Sequence, residues 1–222
     1  TLSEDFLGGP RRLKFAWSIN LHKGMTAFVV LLLMLIYRNF TTAAWVYLAL
    51  HGSYGFIWLF KHFTFADRKW EVKITYGASV VVFLLLALYW IGPFLLISDV
   101  IPARPEISGW LISLATGLYA FGVMLMMVAD CQKHFTLKHK QGLITDGVFK
   151  HVRHPNYLGE MMVYGSFALV CQHWIPWLVL AYYWICIFYV NMRMADASLS
   201  RYPEWKAYKS RTGLLLPWKI FR

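Results

Sequence analysis

Apolar residues run through this chain in long blocks separated by short polar stretches, with none of the two-residue alternation of half-buried strands. A helix needs roughly 20 largely apolar residues to cross the hydrocarbon of a bilayer. Windows that qualify fall at 25–40, 43–60, 76–97, 109–128, 158–171 and 174–192, the first and fifth rather short. They predict an all-α, polytopic membrane helical bundle of about six spans, with five to seven as the range that splitting or merging neighbours would give. Residues 1–23 read as an interfacial arm anchored by Phe6, Leu13, Phe15 and Trp17. Residues 24–129 then hold four spans, and 130–222 hold two more, set between polar blocks. Pro102 and Pro105 punctuate the loop after the third span. No internal repeat stands out.

Composition and charge sharpen this picture. With 59% hydrophobic and only 15% charged residues, the chain carries more apolar surface than one soluble core buries. Basic residues concentrate on the cytoplasmic side of membrane proteins. Here they precede the first span (Arg11, Arg12, Lys14, Lys23), lie between the second and third (Lys61, Arg68, Lys69, Lys73) and between the fourth and fifth, and fill the tail. Arg38 and Arg104 alone fall on the other side, which predicts an even number of spans with both termini cytoplasmic. The net charge of +11 is thus explained by orientation and anionic lipid, and no nucleic-acid partner is expected. Cys131, Cys171 and Cys186 are too scattered for a disulfide framework or a zinc site, and no cleavable signal peptide is expected.

The chemistry-bearing residues lie in the last third. The first block, DCQKHFTLKHKQGLITDGVFKHVRHPNYLGE, offers Lys133, Lys138 and Arg153 as charges for phosphates, and His154, Asn156 and Tyr157 as directional partners for a nucleotide. Pro155 favours an extended His154 and a helix start just after it, which would put Glu160 in the first turn of the fifth span. A carboxyl so close to lipid is costly unless paired or used. The second block, from Asn191 to Pro217, brings Arg193 and Asp196 out of the sixth span. A helix from Ala195 onward would set Leu199, Tyr202 and Trp205 on an apolar side, with Tyr208 and Arg211 sharing a face at i and i+3. Snorkelling cations at the membrane surface account for Lys206, Lys209, Lys219 and Arg222. The eight histidines form no repeated HxxxH boxes and His151/His154 lack acidic companions, so no metal is expected. His51 and Tyr54 are polar groups in the second span, either packed as a hydrogen-bonded pair or lining a lipid pocket. The last two spans are joined at Gln172–His173, and such a tight hairpin would bring the two polar blocks to one face as two halves of a site.

The string VFKHVRHPNYLGE, preceded by DCQK and followed after two spans by Arg193, a Tyr-containing segment and LLLP, resembles the C-terminal region of the sterol reductases and lamin B receptor. It is similar also to bacterial membrane proteins of unknown function grouped with steroid 5α-reductases. Isoprenylcysteine carboxyl methyltransferases of the same superfamily share the RHPxYxG core. The resemblance covers roughly the last 95 residues. It implies an NAD(P)H-dependent reductase of a conjugated carbon–carbon double bond in a sterol-like or isoprenoid lipid. NADPH would be held by Gln132, Lys133, Lys138, Arg153, His154, Asn156, Arg193, Asp196, Tyr208 and Arg211. Glu160, with Tyr157 or Tyr54, would polarise the enone oxygen, because the run NYLGE is similar to one whose Glu binds the substrate ketone in steroid 5α-reductases. Arg193-Met194-Ala195-Asp196 departs from the Arg-Asp-Glu run of sterol reductases and from the paired glutamates of the methyltransferases. Two alternatives follow: S-adenosylmethionine in the same pocket for methyl transfer, or a non-catalytic lipid-binding subunit whose Trp-rich spans pack in a homo- or hetero-oligomer. A bacterial inner membrane and a eukaryotic organelle membrane suit all three.

Overall fold

The computed structural model describes residues 2–98, 100 and 106–221. Pro102, Arg104, Pro105 and Arg222, which entered the sequence reading, lie outside the described residues. The protein is an all-α, multi-pass membrane protein. Five helices are long and apolar enough to cross a bilayer: α1 (Phe15–Ile36), α2 (Thr42–Phe65), α3 (Tyr76–Ile97), α4 (Gly109–His139) and α6 (Trp174–Leu199). Between the last two lies α5 (Pro155–Cys171), and α7 (Trp205–Arg211) follows in the tail. At 17 residues α5 is about 25 Å long, short of the roughly 30 Å hydrocarbon core. Its ends are fixed by Pro155 and by Gln172, which turns the chain with φ +48°. Six expected spans therefore become five and a shorter helix, and an even count holds only when α5 also crosses.

The chain divides into two compact units, residues 1–113 with 167–176, and residues 114–166 with 177–222. This division falls inside α4 and around the hairpin. In the first unit α1 begins ten residues earlier than hydropathy predicts. Its opening turns are polar, yet Ser18, His22 and Lys23 are buried, with Ser18 Oγ 2.8 Å from Ser79 Oγ on α3. The supposed arm therefore ends at Lys14, where Leu13–Lys14 pairs antiparallel with Lys73–Ile74. Small residues let α1 and α2 approach closely. A Cβ at Gly55 would lie 2.2 Å from the Lys23 carbonyl oxygen, and one at Gly52 would lie 3.2 Å from the Ala27 Cβ. Trp90 Nε1 donates to Thr26 Oγ1 at 3.0 Å, tying α3 to α1. A π-helical turn at Leu48–Gly52 interrupts α2 and carries His51. His51 Nδ1 is 3.0 Å from the Tyr47 hydroxyl, and its ring stacks on Phe167 with centroids 4.3 Å apart.

In the second unit α5 and α6 run antiparallel. Tyr157 and Phe188, their ring centroids 5.1 Å apart, lie at matching positions on either side of the Gln172–His173 turn. A second π-helical stretch, Tyr183–Tyr189, interrupts α6 there. Helices α4 and α5 meet at glycines: a Cβ on Gly159 would lie 2.6 Å from both Gly122 O and Met126 N. The helix from Ala195 onward does not form as expected. Helix α6 ends at Leu199, and a turn through residues 200–204 precedes α7, because Pro203 cannot continue a helix whose last carbonyls need donors.

A bulkier residue at Gly159 has to force α4 and α5 apart. Gly159→Val is expected to cost at least about 1–3 kcal/mol by overpacking, read as a lower melting temperature of the detergent-solubilised protein. Gly117, which has nothing near its missing Cβ, provides the control: Gly117→Ala should leave the melting temperature unchanged or raised.

Candidate functional site

Between the turn that ends at His151 and Pro155, which opens α5, the chain is non-helical; His154, the residue before proline, avoids helical dihedrals. Such a strip has backbone groups to satisfy, and the tail provides the partners. Arg153 N donates to Gly213 O at 3.0 Å, His154 N to Leu214 O at 3.2 Å, and Gly213 N to His151 O at 3.0 Å. Val152 and Gly213 form a parallel bridge. Gly213 is required here, since a Cβ would sit 1.8 Å from the Leu216 carbonyl oxygen. The hairpin thus brings the two polar blocks together in one unit.

At the centre of the junction is Asp196. Its Oδ1 accepts from Arg153 Nε at 3.2 Å and lies 2.9 Å from His154 Nε2. Arg153 also donates through Nη1 to Thr212 O at 2.7 Å, and its guanidinium lies 5.9 Å from the Trp205 ring centroid. Thr212 Oγ1 in turn donates to Tyr208 O at 2.7 Å. Arg153, His154 and Asp196 retain only 9%, 5% and 5% of their exposure, so this is a buried ionic cluster and not a surface ion pair. The other carboxylate oxygen, Asp196 Oδ2, is buried with no hydrogen-bond partner among the described residues. Tyr208 is buried too. Its hydroxyl donates to Phe149 O at 2.8 Å, and burial pushes its pKa up to about 12.

The remaining candidates divide by what their side chains touch. Gln132 is committed to the fold: its amide nitrogen donates to Asp146 O and Oδ1 at 3.1 and 3.2 Å, and its oxygen accepts from Val148 N at 3.1 Å. It clamps the turn in which Gly147 adopts φ +54°, so both ends of its amide already serve the fold. Lys133 and Lys138 are exposed on the last turns of α4, about 140° apart around the helix. Arg193 and Arg211 are exposed, the latter 6.0 Å from the Tyr208 ring, as the i, i+3 spacing predicts. Asn156, Tyr157 and Glu160 are half-buried on α5, with Glu160 in the second turn of the helix rather than the first. The Tyr157 ring meets His154 edge-on at 6.0 Å. Tyr54 belongs to the first unit, where it is fully buried with the Lys23 ammonium 4.3 Å from its ring. Sequence reasoning missed Thr212 and Gly213, which close the junction. The Thr-Gly pair before LLLP was the available signal. Among the described residues no group of three or more His, Cys, Asp or Glu is placed to hold a metal ion.

Removing one partner of a buried charge pair leaves the other uncompensated, at a cost of about 3–5 kcal/mol. Asp196→Asn and Arg153→Met should each lower stability by that order, and the double variant should lose less than the sum of the two in a double-mutant cycle. Tyr208 gives a pH signature. The unfolded side chain ionises near pH 10, whereas the folded one stays neutral to about 12. Stability is therefore lost as pH rises from 10 to 12, and Tyr208→Phe should flatten part of that slope in pH-dependent melting.

Two curated proteins of Schizosaccharomyces pombe, both described as uncharacterized, are similar to this chain. One is 39% identical over 67 residues, covering 30% of this chain and 24% of the relative. The other is 23% identical over 176 residues, covering 67% of this chain and 51% of the relative. The matches thus span about a quarter and a half of those relatives' own lengths. No solved structure matches. A family model described as a protein of unknown function, DUF1295, matches residues 15–212, from the start of α1 to the threonine that closes the junction. The chain belongs to this family, which is related to the steroid 5α-reductase-like proteins.

Proposed function

We propose that this protein is a membrane reductase that uses NADPH, or NADH, to saturate a conjugated carbon–carbon double bond in a sterol-like or isoprenoid lipid. One observation carries the reading: the two polar blocks converge on Asp196, whose second buried oxygen has no donor among the described residues. A buried acceptor left unsatisfied is costly, so a donor from a bound molecule suits it. The ribose hydroxyls and carboxamide of a dinucleotide are such donors. Exposed Lys133, Lys138, Arg193 and Arg211 of the same unit suit its phosphates. The dinucleotide, when bound, supplies a hydride. Glu160 lies three and four residues beyond Tyr157 and Asn156, on the same face of α5. Held neutral, Glu160 would donate a hydrogen bond to the enone oxygen, drawing electron density from the β-carbon, with the Tyr157 hydroxyl as a second donor. Arg153 and His154 act as positioning residues that fix Asp196, a narrower role than direct cofactor contact.

A second reading has its own support. Arg153 is neutralised by Asp196 and donates to Thr212, which leaves it ill-placed to meet a phosphate. The open Asp196 oxygen would accept equally from the ammonium or ribose hydroxyls of S-adenosylmethionine. That cofactor would turn the same site to methyl transfer.

A ligand that binds only the folded state at a hundred times its Kd raises stability by about 2.7 kcal/mol. Melting of the solubilised protein with NADPH, NADH, S-adenosylmethionine or no ligand is expected to show stabilisation by a nicotinamide dinucleotide, retained in Glu160→Gln while that variant's turnover falls. Stabilisation by S-adenosylmethionine alone overturns the reductase in favour of the second reading. No stabilisation by any of them leaves a lipid-binding scaffold.

A further inference from the structure

Helix α1 turns three buried polar side chains, Ser18, His22 and Thr26, toward α3 at i, i+4 and i+8. Two of them are met there. Ser18 Oγ lies 2.8 Å from Ser79 Oγ, and Thr26 Oγ1 donates to His22 O at 2.9 Å and accepts from Trp90 Nε1 at 3.0 Å. His22, between them, is not. It keeps no exposure, and neither Nδ1 nor Nε2 has a hydrogen-bond partner among the described residues. Aromatic rings of α3 surround the imidazole instead: Trp90 stacks on it with centroids 4.7 Å apart and planes inclined at 19°, Phe83 meets it edge-on at 6.2 Å, and Tyr89 lies 6.4 Å away. Tyr89 and Trp90 come from a stretch where α3 is irregular. Pro93 has no N–H to give the carbonyl four residues before it, and the helix tightens into a 3₁₀ turn at Leu88–Trp90.

A neutral imidazole carries one donor and one acceptor, and rings packed on its face and edge satisfy neither. Leaving both unmet away from water is costly, so this place favours a guest that can hydrogen-bond. A hydroxyl answers either nitrogen, donating to the bare one or accepting from the N–H, and so suits both tautomers. An ether oxygen answers the N–H alone, and a hydrocarbon answers neither. Phe83 and Trp90 are half-buried, so the rings that enclose His22 also reach the lipid-facing surface, where Val80 and Leu84 are exposed. We propose that His22 is the polar end of a site for a lipid alcohol, whose hydroxyl bonds the imidazole and whose apolar body lies against Phe83 and Trp90. Entry from the bilayer requires the Phe83 side chain to turn aside. This site lies wholly in the first unit and does not depend on which cofactor the second unit takes.

The test is the melting temperature of the full chain in dodecyl maltoside micelles doped with dodecanol, dodecyl methyl ether or dodecane. Dodecanol should raise it by several degrees more than the ether or the hydrocarbon. That excess should vanish in His22→Phe, which keeps a ring and removes both nitrogens, and should be retained in part in His22→Gln, which restores a donor and an acceptor. It should be unchanged in His139→Phe, an exposed histidine on α4, which separates this site from a general effect of the alcohol on the micelle. An ether that matches dodecanol, as when a trapped water already serves the imidazole, or an excess undiminished in His22→Phe, overturns the inference. If His22→Phe does not fold, the comparison of dodecanol with its ether on the unaltered protein decides it.

Discussion

One carboxylate oxygen organises the C-terminal half of this protein. Asp196 Oδ1 meets both Arg153 and His154, residues that precede α5, while Asp196 itself lies in the last turn of α6. The two helices are thereby held at their polar ends, where the Tyr157–Phe188 ring contact adds to the ionic one. Because the cluster is buried, its geometry must be complete. Arg153 is also tied to the Thr212 carbonyl, Thr212 to Tyr208, and Tyr208 to Phe149. The tail is thus a structural part of the junction. In a low-dielectric place such a network is strong when satisfied and costly when any member is missing.

Lipid imposes the simplest rule on a sequence, a run of apolar residues of sufficient length, and α2, α3, α4 and α6 were legible for that reason. Hydropathy misplaced the start of α1 because it scores Ser18, His22 and Lys23 as polar without knowing that they face inward. It could not find the π-helical turns at Leu48–Gly52 and Tyr183–Tyr189, which depend on packing and carry no local composition. It joined residues 195–205 into one amphipathic helix although Pro203 lay within them.

The site was legible in outline. Two blocks rich in Arg and Lys, the first also in His, beside a hairpin already implied that both belong to one place, and the RHP core explained the non-helical strip before α5. The roles within it were less legible. Asp196 read as one contact among ten because its pairing with Arg153 spans 43 residues and depends on hairpin register. Gln132 read as an NADPH contact through the resemblance of the DCQK run, whereas its amide bonds the turn at Asp146–Val148. Lys23 and Lys61 were counted with the charges that orient the chain, since nothing in sequence distinguishes a lysine at the end of a span from one folded over a buried indole.

The spacing of the junction also sets an order of events during biosynthesis. The chain is made from its N-terminus, so Arg153 emerges 43 residues before the carboxylate that neutralises it and 59 before the carbonyl it also binds. In that interval α5 is led by a guanidinium and an imidazole whose final partner does not yet exist. The nascent hairpin must therefore keep this end hydrated, at the water-facing surface of the bilayer, until α6 has inserted and the tail can close over it. The ionic cluster is consequently a late step of membrane insertion, and a chain interrupted before Thr212 would carry its helices without the lock that holds their ends.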